Sequence, residues 1–388
     1  MIGHGGTNLD YARAFNRRVI IEAVRLQGPI TRAELTRLTH LSAQTISNIV
    51  AELVESGLIL VEGRRTPRRG QPGTDLALNP NGAATIGLAI EQNALTAVLL
   101  NLTGEIKARR SIPLAQATPE LVFPAAETLV DEMKNLSAGT PLWGLGISMP
   151  GPFEVDAADF TGPATLPGWE GIAARERFEE TLGLSVEVER DAAAAARAEY
   201  LYGAAKPMRH FFYLHFGVGL GGAFVIDGHP LRGARGNAGE IGLMPASDGQ
   251  PLESKVSLLA LHELLRWKSL TRDIAEQPDH PAMVGWIAIA AKELRRGVRI
   301  IENLFDPQSI VIGGHLPPPI LEALITALQP LDATVADRHT RRFARLTPAA
   351  LGPDAQAMGA AALPMHETLS PHPKSLRKIG ADTPAPQV

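Results

Sequence analysis

The first 80 residues show three short helical patterns of apolar and polar positions, followed by two strand-like patterns. In the first, residues 10–26, apolar residues recur every three or four positions, as on one face of a helix. The second begins at Thr31, with Glu34 placed to complete a reciprocal capping box. The third begins after Ser42, whose side chain can cap the first turn. Its apolar face consists of Ile46, Ile49, Val50 and Leu53.

The second and third helical patterns are separated by residues 39–41 alone. This spacing is typical of a helix-turn-helix, in which the second helix of the pair enters the major groove of DNA. The polar face of that helix carries Gln and Asn, which can pair bidentately with adenine, and the shorter Ser and Thr. A three-helix bundle with a solvated polar face also explains the helices. In the DNA-binding interpretation, the expected DNA contacts are Arg32, Ser42, Gln44, Thr45, Ser47 and Asn48.

The next segment, residues 58–78 (LILVEGRRTPRRGQPGTDLAL), favours the DNA-binding interpretation. It alternates as a strand, breaks at a turn rich in Pro and Gly, and returns as a strand. Folding does not require a cluster of arginines in such a turn, whereas a wing that lies along a phosphate backbone does. A solvated basic loop is the alternative. We predict a winged helix-turn-helix over residues 1–80, with wing contacts from Arg64, Arg65, Arg68 and Arg69.

Beyond a turn-rich boundary at residues 79–82, the body shows the same strand–turn–strand pattern twice, at residues 85–101 and 211–227. Each copy is followed by a turn that contains Gly and later by helical segments. The duplication predicts an α/β fold of two lobes with a ligand-binding cleft between them. We assign residues 81–365 to this body.

The turns of the two copies differ in chemistry. The second turn, residues 217–222, has four glycines, whose exposed N–H groups suit a phosphate, although tight packing of the turn also explains them. The first turn, Glu91-Gln92-Asn93, has no glycine and places a carboxylate where an anion would bind. If both turns once held one nucleotide, we expect that only the second can still bind a phosphate.

Composition and charge add an expected partner and compartment. The chain has 388 residues and no cysteine, which excludes disulfides and Cys-ligated metals. Residues 1–80 hold ten Arg against seven Asp and Glu, whereas the remainder holds 27 basic and 34 acidic residues, so a basic head joins an acidic body. No apolar run can span a bilayer and no signal-peptide pattern is present, so we expect a cytoplasmic protein with no membrane partner. Residues 366–388, rich in Pro, Ser, Thr and charge, are expected to be a disordered tail.

Five segments together resemble the ROK family, named for repressors, open reading frames and kinases. The resemblance extends from the predicted winged helix to about Pro364 and implies the actin-like, sugar-kinase-type fold. The longest of these segments, residues 215–243, matches the long family signature that ends Ala-Gly-Glu-x-Gly-His. The segments are GLGISMPGPFEVD (144–156), ERDAAAAARAE (189–199), HFGVGLGGAFVIDGHPLRGARGNAGEIGL (215–243), NLFDPQSIVIGGHL (303–316) and LGPDAQAMGAAAL (351–363).

The chain departs from the family pattern at its catalytic and metal positions. Where the kinases of the family read Asp-Ile-Gly-Gly-Thr, this chain has Ala89 followed by Ile-Glu-Gln-Asn. The metal–phosphate carboxylate is absent at Ala89 and Glu91 would repel a phosphate, so we expect no phosphoryl transfer and assign no catalytic residue. The family's zinc-ligating His corresponds to Leu243, and the cysteines of that site are missing. We therefore expect neither a metal nor another cofactor.

The resemblance nevertheless implies a sugar-binding set. Asp191 matches the family's catalytic base, and Glu240 and Glu253 match two further sugar-facing carboxylates beside the Pro150-Gly151 turn. Arg190 replaces an Asn of the family and could pair with an acidic or phosphorylated sugar, or neutralise Asp191. Surface or salt-bridged carboxylates are the alternative explanation. The candidate ligand-binding residues are Gly151, Arg190, Asp191, Glu240 and Glu253.

The leading hypothesis is a DNA-binding transcriptional regulator, with repression as the expected sign. Its body would be a catalytically inactive sugar-kinase fold that senses a sugar-like effector and forms a homodimer or homotetramer on double-stranded operator DNA. One alternative is a ROK-type ATP-dependent sugar kinase that carries a DNA-binding head. Another is a DNA-binding protein whose body only dimerises.

Overall fold

The computed structural model describes residues 9–64, 74–137, 139–151, 153–154, 159–160, 166–268, 270, 272–338 and 340–369. Its N-terminal part is a helical unit closed by a small antiparallel sheet of strand order β1-β3-β2. The elements are α1 (Leu9–Gln27), β1 (Ile30–Thr31), α2 (Arg32–Thr39), α3 (Ala43–Glu55), β2 (Ile59–Arg64) and β3 (Thr74–Leu78).

The predicted helix starts are confirmed. Thr31 Oγ1 accepts a hydrogen bond from the backbone N–H of Glu34 at 3.3 Å, and the Glu34 carboxylate accepts one from the backbone N–H of Thr31 at 2.8 Å. Ser42 Oγ likewise accepts from the backbone N–H of Thr45 at 3.1 Å. Because these bonds join residues three positions apart, the local sequence is sufficient to specify them. The buried face of α3 is the predicted Ile46, Ile49, Val50 and Leu53.

Strands β2 and β3 pair antiparallel as the two arms of the predicted wing, with Ile59 opposite Leu78. Arg64 is the last residue of β2. The predicted contacts Arg65, Arg68 and Arg69 lie outside the described residues.

The body contains two lobes, each built on a five-stranded sheet. The first lobe comprises β4 (Ala84–Glu91), β5 (Ala94–Asn101), β6 (Ile106–Pro113), α4 (Pro119–Ser137), β7 (Leu142–Met149), the short pair β8 (Phe153–Glu154) and β9 (Asp159–Phe160), α5 (Ala174–Leu182) and β10 (Val186–Arg190). Helix α6 (Asp191–Tyr202) leads to the second lobe. That lobe comprises β11 (His210–Phe216), β12 (Leu220–Ile226), β13 (His229–Pro230), α7 (Glu253–Val256), α8 (Leu258–Trp267), α9 (Pro281–Phe305), β14 (Ile310–Gly314), α10 (Pro318–Ala327) and β15 (Leu346–Pro348), before α11 (Ala355–Leu369) ends the described chain. Short 3₁₀ turns lie at Ile241–Leu243, Arg272–Glu276 and Gly352–Asp354.

The two sheets have the same topology, which confirms the predicted duplication. Their strand orders are β10-β7-β4-β5-β6 and β15-β14-β11-β12-β13. In each, three consecutive strands form an antiparallel meander, and two later strands add in parallel beside the first of them. The predicted strand–turn–strand units are the β4–β5 and β11–β12 hairpins.

Two helices are exchanged between the lobes. Helix α6 follows β10 of the first lobe but packs on β11 and β12 of the second, whereas α11 follows the second lobe and packs on β4 and β7 of the first. The exchanged helices also pack on each other. Glycines allow α11 to approach both α6 and β7 closely. A Cβ atom on Gly359 would lie 1.7 Å from the carbonyl oxygen of Ala194, and one on Gly146 would lie 1.8 Å from that of Ala360. Alanine would therefore not fit at either glycine.

The winged helix packs on the body through α1, which contacts α11. Leu369 at the end of α11 is buried against this junction. Helix α11 thus continues past residue 365 to Leu369, and its last turn packs against the head. The remainder of the predicted tail, residues 370–388, lies outside the described residues. None of the described helices is long and apolar enough to cross a membrane.

Candidate functional site

A cavity of about 210 Å³ lies between the two lobes. It is bounded by the β4–β5 turn, the glycine-rich β11–β12 turn and the segments that follow the parallel strands β7, β10 and β14. The carboxyl ends of parallel strands meet at one edge of a sheet, which is where ligands of open α/β folds bind. The cavity is therefore our candidate site, and four of the five predicted ligand-binding residues line it: Gly151, Asp191, Glu240 and Glu253.

Asp191 is the first residue of α6, directly after β10. Its Oδ1 accepts a hydrogen bond from the backbone N–H of Ala192 at 2.6 Å, as a carboxylate at a helix N-terminus does. Burial raises the pKa of Asp191, against the opposing effects of that hydrogen bond and of the Arg190 charge. The side chain is thus a desolvated acceptor that faces the cavity.

Arg190, the fifth predicted residue, is buried behind the cavity wall rather than lining it. Its Nη1 donates to Glu240 Oε1 at 2.5 Å and its Nη2 to the carbonyl oxygen of Ala238 at 2.5 Å. Gly151 covers this pair, since a Cβ atom there would lie 3.0 Å from Arg190 Cδ and 3.6 Å from Glu240 Oε1. Burial raises the pKa of Glu240 despite the nearby guanidinium. Arg190 therefore pairs with Glu240 in this structure.

Glu253 packs on the glycine-rich turn. Its Oε2 accepts a hydrogen bond from the backbone N–H of Leu220 at 3.2 Å. A Cβ atom added to Gly219 would lie 2.5 Å from this oxygen, and one added to Gly242 would lie 3.0 Å from it. The glycines of the turn at residues 217–222, whose N–H groups could suit a phosphate, therefore allow the carboxylate of Glu253 to approach the turn.

Glu91, at the end of β4, lines the same cavity. Its Oε1 lies 3.9 Å from His315 Nε2, an ion pair when the imidazole is protonated. Burial raises the pKa of Glu91, and the His315 and Arg109 charges oppose the shift. The first turn thus contributes a carboxylate to the cavity.

Sequence reasoning missed three polar lining residues: His215, His315 and Gln356. Neither histidine was assigned a role from the sequence. His215 is 1% exposed, and burial lowers its pKa to about 3, so its imidazole is neutral near pH 7. A signal for His315 existed, because it directly follows the parallel strand β14. Gln356 had no such signal, since only the packing of α11 brings it to the cavity.

The loop that corresponds to the family's zinc segment is held by hydrogen bonds. Ser247 donates to the buried Glu293 through its backbone N–H at 2.9 Å and its hydroxyl at 2.5 Å. Leu243, at the family's His position, is 51% exposed. Within the described part of the chain, no three His, Cys, Asp or Glu residues cluster as metal ligands. The residues present therefore do not fit a zinc ion here.

The predicted DNA contacts of the helices lie near the starts of α2 and α3. Gln44, Ser47 and Asn48 are exposed on α3, and Gln44 Nε2 donates to Asn48 Oδ1 at 2.8 Å. The hydroxyls of Ser42 and Thr45 are 2.8 Å apart. Arg32, the first residue of α2, is half-buried. The exposed polar face of α3 thus consists of short side chains and two amides.

Comparison with known proteins agrees with this architecture. The model of the ROK family matches residues 85–367, and that of the MarR family matches residues 19–70. The chain is 30% identical over 361 residues to protein y4fQ of Sinorhizobium fredii, covering 90% of this chain and 91% of that one. It is 24% identical over 372 residues to the xylose repressor of Bacillus subtilis, covering 90% and 94%.

The fold is also that of a solved structure. The crystal structure of a ROK family transcriptional regulator, described as a homologue of the Escherichia coli Mlc protein, superposes with a TM-score of 0.73 at 22% identity, over 93% of this chain and 98% of that one. At this identity the likeness shows the fold alone. With the ROK match over most of its length, this chain belongs to the ROK family and carries a MarR-type winged helix at its N-terminus.

Proposed function

We propose that this protein is a DNA-binding transcriptional repressor whose affinity for its operator is set by a small polyhydroxylated ligand bound between the lobes. The observation that carries the proposal is that α6 and α11 each run from the cavity to the winged helix. A cavity of about 210 Å³ is below the roughly 300–1,000 Å³ of drug-sized ligand sites, so the ligand would be as small as a monosaccharide.

Helix α6 provides the first connection. It begins with Asp191 in the cavity and ends at Tyr202, so its 12 residues span about 18 Å. Tyr202 lines a small gap together with Glu22 and Arg25 of α1. Arg25 pairs with Glu22 through two hydrogen bonds of 2.7 and 2.6 Å. A displacement of Asp191 along α6 would therefore reach α1 beside its Glu22–Arg25 ion pair.

Helix α11 provides the second connection. Gln356 in its first turn lines the cavity, and Met365 and Leu369 in its last turns are packed with the core of the head. Because α6 and α11 also pack on each other, they form one layer between the lobes. Rigid elements of this kind can carry a coupling free energy, typically about 1–3 kcal/mol, if the ligand binds two lobe arrangements unequally.

The winged helix supports DNA as the partner. The start of α3 exposes amide and hydroxyl side chains that suit base edges. The sequence after β2 contains a cluster of arginines. One such head makes few base contacts, so we propose a homodimer or homotetramer on paired half-sites. The xylose repressor among the relatives is consistent with repression.

The cavity does not favour phosphoryl transfer. A transferred phosphoryl group needs neutralising cations and close backbone N–H groups. Here Glu91 stands at the first turn and Glu253 packs on the second. We therefore propose that ATP-dependent phosphorylation of hexoses is absent, and a coupled assay that finds turnover abolished by Asp191→Ala would contradict this.

The test of the proposal is operator affinity in the presence and absence of ligand. Duplexes selected from fragmented genomic DNA would be titrated by fluorescence anisotropy with sugars, sugar phosphates and polyols that raise the melting temperature. A stabilising compound should change operator affinity by roughly 5–150-fold, the usual range of allosteric coupling. Glu240→Gln should lose this response, whereas Glu127→Gln, the same change on the exposed face of α4, should keep it. An unchanged operator affinity with every stabilising compound would overturn the proposal.

A further inference from the structure

The cavity between the lobes has an excess of negative charge. Four carboxylates line it, whereas no lysine or arginine of the described residues does. Three basic side chains lie close to it, and one of them, Arg109, is paired with Asp354 at 2.6 Å. Arg190 is buried behind Glu240, and His315 stands 3.9 Å from Glu91. Even with a protonated His315, the carboxylates outnumber the cations. They belong to Glu91, Asp191, Glu240 and Glu253.

The four carboxylates are not equally satisfied. Asp191 and Glu253 each accept a backbone N–H, and Glu240 accepts the Arg190 guanidinium. At Glu91, the separation of 3.9 Å from His315 Nε2 exceeds hydrogen-bond distance. Glu91 is therefore where an additional cation would gain most.

Two neutral polar side chains that line the same cavity each have an atom without a hydrogen-bond partner among the described residues. Gln356 Nε2 lies 2.6 Å from His215 Nε2, and because an amide nitrogen can only donate, the neutral imidazole carries its proton on Nδ1. His215 Nδ1 and Gln356 Oε1 have no hydrogen-bond partner among the described residues. Both side chains are more than nine-tenths buried, at 1% and 4% exposure. A ligand hydroxyl that reached either atom would supply the hydrogen bond that it lacks.

Arg190, the cation that the sequence offered for an anionic ligand, is already paired within the protein. Arg190 directs Nη1 to Glu240 and Nη2 to the carbonyl of Ala238. To reach a phosphate or a sugar acid, it would have to leave Glu240 as an unpaired carboxylate. The sequence-based expectation of an acidic or phosphorylated sugar, as far as it rested on Arg190, therefore loses that support.

We propose that the ligand of this cavity is a small polyhydroxylated amine, an amino sugar or amino polyol, whose ammonium group binds at Glu91 and whose hydroxyls are held by Asp191, Glu240 and Glu253. The inference rests on the proposed function only in taking the cavity as the effector site. Burial raises the pKa of Glu91 and of Asp191, so a bound ammonium group would offset part of the desolvation of these carboxylates.

The experiment compares compounds that differ in one group. Isothermal titration calorimetry on the full chain at pH 7 would use 1-amino-1-deoxysorbitol, sorbitol and gluconate, and in a second series glucosamine, glucose and glucose 6-phosphate. Within at least one series the ammonium compound should bind roughly tenfold or more tightly than the hydroxyl compound, as for a charge-assisted hydrogen bond. The anionic compound should bind weakest. If the hydroxyl or the anionic compound binds tightest in both series, or if no member of either series binds at millimolar concentration, the proposal is overturned.

Two variants locate the ammonium group. Glu91→Gln should reduce the affinity of the ammonium compound to about that of its hydroxyl counterpart and leave the latter unchanged. Glu127→Gln, on exposed α4, should change neither. Persistence of the ammonium preference in Glu91→Gln contradicts the placement at Glu91.

Operator binding measured with the same compounds separates the two proposals. If the ammonium compounds bind tightest but leave operator affinity unchanged, the ligand class stands and the regulatory function fails. If only a neutral or anionic sugar changes operator affinity, the regulatory function stands and the ligand class fails.

Discussion

Arg190 and Glu240 form an ion pair in which Nη1 and Oε1 are 2.5 Å apart, with the arginine side chain 2% exposed and the glutamate side chain 26% exposed. This pair sets the charge of the cavity, because the guanidinium binds Glu240 and the carbonyl of Ala238 while four carboxylates line the cavity. It also holds Glu240 in place beneath Gly151.

Arg190→Met should destabilise the protein by roughly 2–4 kcal/mol, since it leaves Glu240 without its partner. The cost is below the 3–5 kcal/mol of a fully buried pair because the carboxylate is partly exposed and can take up a proton. Thermal unfolding of the single and double variants measures it, and Glu240→Gln should recover part of the loss in the Arg190→Met background. Arg296→Met, at an exposed arginine of α9, is the matched control. Equal melting temperatures for the two arginine variants would refute the structural role of the pair.

Glu293→Gln should loosen the loop that leads to Glu253. The carboxylate accepts both the backbone N–H and the hydroxyl of Ser247, so its neutralisation should cost about 1–3 kcal/mol of stability. It should also weaken binding of any cavity ligand, because Glu253 follows the same loop. Melting temperature and ligand titration measure the two effects, with Glu127→Gln as the control. A variant that matches the parent in both would show that the loop does not depend on this anchor.

The wing and α3 should contribute differently to DNA binding. Replacing Arg64, Arg65, Arg68 and Arg69 by Ala should weaken binding to all duplexes and flatten its salt dependence, because phosphate contacts release counterions. Replacement of an exposed body arginine such as Arg296 should leave both unchanged.

Gln44→Ala or Asn48→Ala should instead relax preference at one base pair, by roughly 1–3 kcal/mol if the contact is bidentate. Because the two amides are hydrogen-bonded at 2.8 Å, their effects should not be additive in the double variant. Anisotropy titrations over a set of single-base operator variants measure this. Parental base preference in both variants would mean that the head is misassigned.

Leu369→Ala should weaken the coupling between ligand and DNA. The side chain is 5% exposed at the junction of α11 with the head, so its truncation removes contacts on the route from the cavity. Leu324→Ala, in the core of the second lobe, is the control for a loss of stability without a change in coupling. It should reduce the free energy of unfolding by a similar amount, roughly 2–5 kcal/mol. The ratio of operator affinities with and without ligand should fall for Leu369→Ala and be kept by Leu324→Ala.

His215 should make the protein less stable at mildly acidic pH. Its pKa is lowered from 6.5 to about 3 in the folded state by burial and by the nearby His315. Below pH 6.5 the unfolded chain binds a proton that the folded chain does not, so stability falls as pH decreases, by up to about 1.4 kcal/mol per pH unit. As the pH is lowered from 7.5 to 5, the melting temperature of the parent should therefore fall relative to that of His215→Gln. A difference independent of pH would mean that His215 does not titrate in this way.

The local sequence by itself determined the elements of the head and the duplication of the body. Thr31 and Ser42 start α2 and α3 through bonds to residues three positions on, and such short-range bonds depend on little else. The apolar periodicity of α3 likewise specified which of its faces is buried. The family motifs marked Asp191, Glu240 and Glu253 as neighbours of one site.

Only the tertiary structure decided what these residues do together. Arg190 precedes Asp191 in the chain but pairs with Glu240, 50 positions away, because the two lobes meet there. Gln356 reaches the cavity because α11 crosses to the first lobe, and no local pattern encodes that exchange. Charge balance in the cavity depends on these long-range placements, since an ion pair forms through distance in space and not along the chain. For that reason the family motifs indicated a sugar-like site, while the proposed preference for an ammonium group followed from the fold.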